Sequence, residues 1–411
     1  MLAPLIVFAF TWAVVSGLRV PWFRLDRTSG ALVGAVAMVL AGGLTVAEAW
    51  AAIHWDTIGL LLGMMILTAY LVEARLFAAL AHATVTRAGS ARALLWAVVF
   101  VAGGLSAILV NDTICVMFTP LVVAVVEAAE LPALPFLLAL ASSTNIGGVV
   151  TFTGNPQNMI VGTHAGMSYA HYTLRMLPVG ALGLVLDAAL LTFLFRADLP
   201  RGPVRGPTTA PPTVDLPLLG ISLATLVLVV AGFLLGFSLA GTALAGAAFL
   251  IVAARRPPRP VLARVDLSLL VFFAALFVVV QGVGHTGALA RLATWLVPRL
   301  GGSPSSQLAG FSLLTVVGSN VFSNVPFVLL AIELVPRLAD PPRGFIALAM
   351  ASTLAGNLTI FGSVANLIVL ELSGRHGEVG FLRFLRVGVV ITTATMALGL
   401  AVLLGERALG W

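Results

Sequence analysis

"TFTGNPQN", residues 151–158, ends an apolar segment with two threonines, a glycine, a proline, a glutamine and two asparagines. "TIFGSVAN", residues 359–366, holds the same frame: Thr, two residues, Gly, three residues, Asn. Pro156 cannot continue a helical hydrogen-bond ladder, and glycine at 154 and 362 permits close backbone approach. Such a break frees N–H groups and carbonyls that an intact helix would consume. Freed N–H groups attract anions and freed carbonyls attract cations. What surrounds the two stretches decides what the breaks are for.

They are surrounded by lipid-compatible sequence. The chain of 411 residues is 60% hydrophobic and 9% charged, with a mean hydropathy of +1.09, whereas a soluble domain carries about 25% charged residues. A bilayer crossing needs roughly 20 apolar residues. Candidate spans fall at 2–18, 28–48, 57–73, 133–150, 176–195, 216–236, 238–254, 267–284, 343–358 and 384–405. Two longer apolar stretches, 94–129 and 306–338, are interrupted by "VNDT" at 110–113 and "FSNVP" at 322–326. Each stretch reads as two spans or as one re-entrant hairpin, whose non-helical tip must lie in protein or line a cavity. The N-terminal segment lacks a basic region and a small-residue cleavage site, so it reads as a first span.

The Pro-rich segment 196–215 divides the chain, and landmarks recur across it. Asp56 and Asp266 lie 210 residues apart, Asn111 and Asn324 213, and Gly154 and Gly362 208. The expected fold is an all-α polytopic membrane protein of two repeats, 1–196 and 216–411, joined by a cytoplasmic linker at 197–215. Each repeat has five transmembrane helices, a re-entrant hairpin (94–129, 306–338) and a helix broken at the midplane (133–163, 343–372). An odd number of crossings makes the repeats inverted. The loops 19–27, 74–92, 196–215, 255–266 and 373–386 then share one face and hold 16 of the 22 arginines; the other face holds 6. Positive charge marks the cytoplasmic side, which predicts a multi-pass inner-membrane protein with both termini outside.

There is no lysine, and the arginines sit in short loops rather than on one face, which argues against nucleic acid. The single Cys115 allows no disulfide within the chain, and no metal-ligand spacing, phosphate loop or catalytic-triad order is present, so no enzyme and no cofactor is expected. Trp12, Trp22, Trp50, Trp55, Trp96, Trp295 and Trp411 read as interfacial anchors. His164, His171, His285 and Glu371 lie near segment ends and read as interfacial, and Asp187 reads as bonded to a neighbouring polar group.

Inverted repeats with broken membrane helices characterise secondary transporters that bind substrate near the midplane. In the first break Thr151, Thr153, Asn155 and Asn158 supply neutral donors and acceptors around Gly147, Gly148 and Gly154. In the second, Thr359, Ser363 and Asn366 do so around Gly356 and Gly362. Asp112 is an ionisable group inside the membrane and is expected to bind the coupling cation or proton.

"STNIGGVVTFTGNPQN", "NDTICVMFTP" and "SNVPFVLL" resemble motifs of the divalent anion:sodium symporters. The Asn-Asp at 111–112 and "GNLTIFGSVAN" at 356–366 resemble still more the arsenite-permease and P-protein branches of the same ion transporter superfamily. The resemblance covers essentially the whole chain. It implies a homodimer in which scaffold helices, including 2–73, hold a transport domain of both hairpins and both broken helices that moves as an elevator. It also implies one cation site, sodium for example, at Asn111 and the Gly147–Gly154 backbone, and another at Asn324 and the Gly356–Asn357–Gly362 backbone. Substrate would lie between the tips, at Asn111, Ser323 and Asn324. The symporters carry Ser-Asn-Thr at both tips, where this chain has Val110-Asn111-Asp112 and Ser323-Asn324-Val325, which removes hydroxyls that a dicarboxylate would use.

The expected function is ion-coupled secondary transport of a small anion or oxyanion in the lipid bilayer. With no arginine in the core of the motifs, the anion would be held by amides, hydroxyls and helix ends. Efflux of arsenite or antimonite, or sodium/proton antiport, is the alternative. A channel needs a continuous pore, against which an internal inverted repeat argues. An intramembrane enzyme needs a nucleophile–base pair that no motif supplies.

Overall fold

The computed structural model describes residues 2–16, 25–200, 202, 212–377 and 379–408, and every regular element among them is helical. Trp22, Trp411 and residues 201 and 203–211 of the linker lie outside the described residues. The first half runs α1 (Leu2–Val15), α2 (Arg27–Leu40), α3 (Val46–Ala52), α4 (Trp55–Glu73), α5 (Leu76–Arg87), α6 (Ala91–Ser106), α7 (Asn111–Ala128), α8 (Ala133–Gly148), α9 (Pro156–His164) and α10 (Tyr169–Leu194). The second runs α11 (Leu216–Leu234), α12 (Leu239–Ala253), α13 (Arg259–Leu262), α14 (Leu267–His285), α15 (Ala288–Leu296), α16 (Pro304–Phe322), α17 (Asn324–Ala331), α18 (Pro341–Ala355), α19 (Val364–Leu372) and α20 (Phe381–Ala408). Ten α-helices fall in each half among the described residues.

Six of these helices (α4, α7, α10, α11, α14 and α20) are long and apolar enough to cross a membrane, and α1, α2, α6, α8 and α12 are shorter apolar helices. Every candidate span contains a helix, although α2 stops at Leu40, short of the end of the span 28–48. Sequence reading left α5, α13 and α15 in loops and ran the start of α3 into the span 28–48, because pieces of 4 to 12 residues fall below the length of a span. The two interrupted stretches are unequal. Between α6 and α7 the chain turns through four residues, and α7 alone, at 18 residues, spans about 27 Å. Between α16 and α17 the turn is the single Ser323, and α17 has only 8 residues.

Packing sorts the helices into two groups. One holds α1, α2, α4, α11, α12 and α14, where α2 packs on α14 and α4 on α12. The other holds α6–α10 and α16–α20, with α6 and α7 on α8, α16 and α17 on α18, and α10 on α20. At the centre of the second group α8 is buried on all sides from Pro135 to Gly148, and α18 from Ile346 to Ala355. A helix apolar all round belongs in a core, and these two carry the breaks.

The ion pairs fall into two sets of loops. Among the described residues, Arg256 pairs with Asp215, Arg264 with Glu73 at 2.8 Å and His376 with Glu127 at 2.8 Å, all in or beside arginine-rich loops. Arg175 with Glu406 at 3.6 Å and Arg343 with Asp340 at 2.8 Å belong to the arginine-poor set. No ion pair mixes the sets among these residues. Asp340 also caps α18, and despite partial burial its bonds to Arg343 hold the carboxyl below its usual pKa.

Two sequence expectations need correction. Trp12 is 4% exposed and packs against Phe8 and Phe322, so it is a core residue; Trp50 and Trp55 are exposed and stacked 6.4 Å apart. Asp266 caps α14, but Asp56 lies inside the first turn of α4, where His54 holds the cap position. The matching helices are therefore 212 residues apart by their starts, Trp55 and Leu267, rather than 210.

Candidate functional site

The two breaks have the same backbone. Thr151 (φ −132°, ψ 165°) and Thr359 (φ −131°, ψ 161°) leave the helix extended, and a 3-10 turn follows at Phe152–Gly154 and Ile360–Gly362. Asn155 (φ −161°) and Ser363 (φ −145°) then cap α9 and α19 through their side chains. A Cβ at Gly154 would overlap the backbone of Gly148, so the ends of the first break touch where only glycine fits.

Each break is stapled by the asparagine that closes its frame. Asn158 Nδ2 donates to the carbonyls of Gly148 (2.9 Å) and Thr151 (3.2 Å). Asn366 Nδ2 donates to those of Gly356 (2.7 Å) and Thr359 (2.9 Å). These amides satisfy carbonyls that would otherwise be orphaned in a dry interior.

The threonines tie each break to its neighbouring turn. Thr151 Oγ1 donates to Ala107 O (2.7 Å) and Thr153 Oγ1 to Ile108 O (3.3 Å), and Thr153 also meets Tyr169 Oη at 3.0 Å. In the second half Thr359 Oγ1 donates to Asn320 Oδ1 (2.8 Å), while Asn320 Nδ2 donates to Ala355 O (3.0 Å).

Between the halves the bonds are exchanged. Ser363 Oγ donates to Asn145 Oδ1 (3.1 Å), and Asn145 Nδ2 donates to Asn357 Oδ1 (2.9 Å). Shifted by 208 residues with the halves swapped, the first becomes Asn155 Nδ2 donating to Thr353 Oγ1, a bond of 3.1 Å that is present. Thr353 Oγ1 also donates to Asn158 Oδ1 (3.0 Å), and Asn111 Nδ2 to Asn145 Oδ1 (3.1 Å). Asn145 and Thr353 are thus the hubs of a buried polar network. Sequence reading passed over both, along with Asn320, although "SSTN" at 142–145 and "GSN" at 318–320 stand out as polar runs in apolar helices.

A cavity of about 190 Å³ lies against this network. Its lining takes Asn111 and Asp112 from the first turn, Ser323 and Asn324 from the second, Gln157 from α9 and Ser363 from α19. Asn324 Oδ1 is a buried acceptor without a partner among the described residues. Thr151, Thr153, Asn155, Asn158, Thr359, Asn366, Gly147, Gly154, Gly356, Asn357 and Gly362 stand behind the lining, in the network or the backbone that shapes it. Gln157 on the wall was not foreseen, nor were the charges facing it. Arg27 and Thr28 begin α2, and Asp266 caps α14 through Leu269 N (3.1 Å). Arg27 has no ion-pair partner among the described residues. No arginine lies in the core of the motifs, but Arg27, counted as a topology determinant, lines the cavity.

Outside the cavity, Asp187 is fully buried and accepts from Ser142 Oγ at 2.9 Å, as expected of a bonded structural carboxyl. Cys115 is buried beside Thr144 Oγ1 at 3.3 Å. His171, His285 and Glu371 are exposed. His164 is not a lone interfacial group, for its ring stacks on His54 with centroids 3.7 Å apart.

Ser323 has φ +69° and ψ 154°, a region that is essentially glycine's and costs about 1–3 kcal/mol. The strained residue lines the cavity. Ser323→Gly is expected to raise the melting temperature in detergent while weakening stabilisation by substrate; an unchanged or lower melting temperature would show that the turn stores no strain.

Comparison with known proteins agrees with this architecture. A family model described as "Citrate transporter" matches residues 5–344 and 291–411. The silicon efflux transporter LSI3 of Oryza sativa subsp. japonica is 29% identical over 90% of both chains. An uncharacterized transporter of Mycobacterium tuberculosis is 31% identical, covering 95% of this chain and 96% of its own, and a putative transporter arsB of Dictyostelium discoideum is 27% identical over 93% and 88%. Among solved structures, the YdaH transporter of Alcanivorax borkumensis superposes with a TM-score of 0.64 over 100% of this chain and 99% of its own, at 16% identity. That likeness is one of fold.

Proposed function

From the premise that this chain belongs to the citrate transporter family of membrane transporters, we propose that it is an ion-coupled secondary active transporter of a small anion, working by elevator-type alternating access. One observation carries the proposal: two turns and two helix starts, one of each from either half, converge on a single cavity. Neutral amides and hydroxyls on its wall suit an oxygen-rich solute, and Arg27 supplies a positive charge opposite them. The exchanged hydrogen bonds, related by a shift of 208 residues, support inverted repeats. The two packing groups support a scaffold of α1, α2, α4, α11, α12 and α14 around a moving body of the rest, with the turns as hairpin tips. With the arginine-rich face in the cytoplasm of an inner membrane, both termini lie outside and the cavity opens inward, since Arg27 and Asp266 belong to cytoplasmic loops. A homodimer completes this reading.

A second reading, export of a neutral hydroxylated acid of the arsenite, antimonite or silicic type, is favoured by the amides and hydroxyls of the lining and by the relatives named for silicon efflux and arsB. Sodium/proton antiport would use Asp112 in place of substrate. The deciding experiment is uptake into proteoliposomes, joined to thermal shift of the purified protein with citrate, arsenite and silicic acid, each with and without sodium. A ligand of the folded state raises the melting temperature. Saturable flux driven by a sodium or proton gradient is the expected result, and flux indifferent to any gradient overturns it.

Asp112 sits on the first tip, with its backbone N–H bonded to Asn111 Oδ1 at 2.9 Å and its carboxyl facing the cavity. Asp112→Asn is expected to leave folding intact and to cut gradient-driven flux at least tenfold. Wild-type flux and ion dependence in that variant would remove Asp112 from coupling.

A further inference from the structure

The swapped pattern that relates the halves does not extend to the packing of α4 on α9. The matching helices α14 and α19 face each other across open space: Asp266 and Leu269 of one, and Val364 and Ile368 of the other, line a second cavity of about 320 Å³ that also reaches Asp112. One side of the molecule is thus shut and its counterpart parted.

The shut side is held by two contacts. The rings of His54, at the cap of α4, and His164, at the end of α9, stack with centroids 3.7 Å apart and 25° between planes. Beside them Thr57 Oγ1 and Thr163 Oγ1 are hydrogen-bonded at 2.8 Å. Both contacts join the proposed scaffold to the proposed moving body, so an elevator cannot run without breaking them. We infer that the His54–His164 stack, with the Thr57–Thr163 bond, is a proton-sensitive latch that closes the arginine-poor side and opens once in each transport cycle. This inference rests on the transporter reading above.

The chemistry is that of imidazole. Neutral rings stack, a single proton is tolerated on a stacked pair, and two protons place like charges face to face in a half-buried site. Burial lowers the proton affinity of both rings, and at His164 the facing His54 ring lowers it further, so double protonation falls on the acid side of the ordinary imidazole range. The other ionisable groups around the pair are few. Asp56, exposed in the first turn of α4, is the carboxylate that acts on His54. From α14 the neighbour is the Phe277 ring, 5.4 Å from His54. α18, which also packs on α9, has only Arg343, bound to Asp340 at its opposite end, and α17 has no ionisable group. Glu48 of α3 is bonded to Thr45, and His171 of α10 is exposed beside Arg175 and Glu406. With Asp56 the one nearby anion, protonating both rings produces repulsion that a single carboxylate does not cancel.

Two experiments test the latch in the full chain. Thr57→Cys with Thr163→Cys places thiols where the hydroxyls now touch, and the native Cys115 is buried. Oxidation to the disulfide is expected to reduce flux at least tenfold and reduction to restore it, while the thermal shift with substrate persists in both forms. Separately, acidifying from about pH 7.5 to about pH 4 is expected to raise wild-type flux severalfold. His54→Phe with His164→Phe, which keeps the stacking and removes the titration, is expected to flatten that profile. Cross-linked protein that transports at the reduced rate, or a phenylalanine pair with the wild-type pH profile, overturns the latch and leaves the transporter reading standing. Loss of every substrate-induced thermal shift in the unmodified protein would overturn the reading itself.

Discussion

Replacing Asn145 by alanine is expected to abolish gradient-driven flux and to lower stability by about 3 kcal/mol or more. The fully buried Asn145 side chain accepts from Asn111 and Ser363 and donates to Asn357, so it joins one tip to the opposite break. Each buried polar group stranded by its loss costs about 1–3 kcal/mol. Asn357 suffers most, because its Nδ2 is already without a partner among the described residues and its Oδ1 would lose Asn145. Thermal unfolding in detergent and proteoliposome flux measure the two effects. Asn145→Asp keeps the acceptor and loses the donor, so it should recover part of the stability. A variant Asn145→Ala with wild-type stability would show that the network does not hold the halves together.

Gly147→Val is expected to be harsher on folding. A Cβ at Gly147 would overlap the backbone of Gly103, where α6 crosses α8. Close backbone approach at small residues is how membrane helices pack tightly. Overpacking usually costs about 1–3 kcal/mol, and here the colliding atoms are backbone, which cannot rotate away. Gel filtration should show loss of the monodisperse peak. Gly104→Val is the control: its Cβ meets nothing within 4 Å, and the site is exposed. If both variants behave alike, helix propensity rather than the crossing is responsible.

The sequence revealed most of the helices, because ten apolar runs of span length leave little else for the backbone to do in lipid. It also revealed the breaks, since Pro156 cannot continue a helical ladder and the glycines at 154 and 362 weaken one. It could not separate wall from frame. Asn158 and Asn366 look like ligands on paper, yet their amides point at carbonyls of their own break. Ser323, Asn324 and Ser363, of the same chemical type, reach the cavity. Spacing places a residue near a break and says nothing of the side to which its side chain turns. Arg27 shows the converse limit, because a loop arginine reads as a charge at a face until packing brings that face to the cavity mouth. The short α5 and α15 escaped because 12 and 9 residues fall short of a span.

The asparagine staples have a thermodynamic consequence. Because Asn158 and Asn366 satisfy the interrupted carbonyls from within, each break holds its shape whether or not anything occupies the cavity. A ligand arriving there meets a finished receptacle and spends little of its binding energy on ordering the backbone. Even a solute of few atoms can therefore be held selectively, and can leave again without the receptacle dissolving behind it.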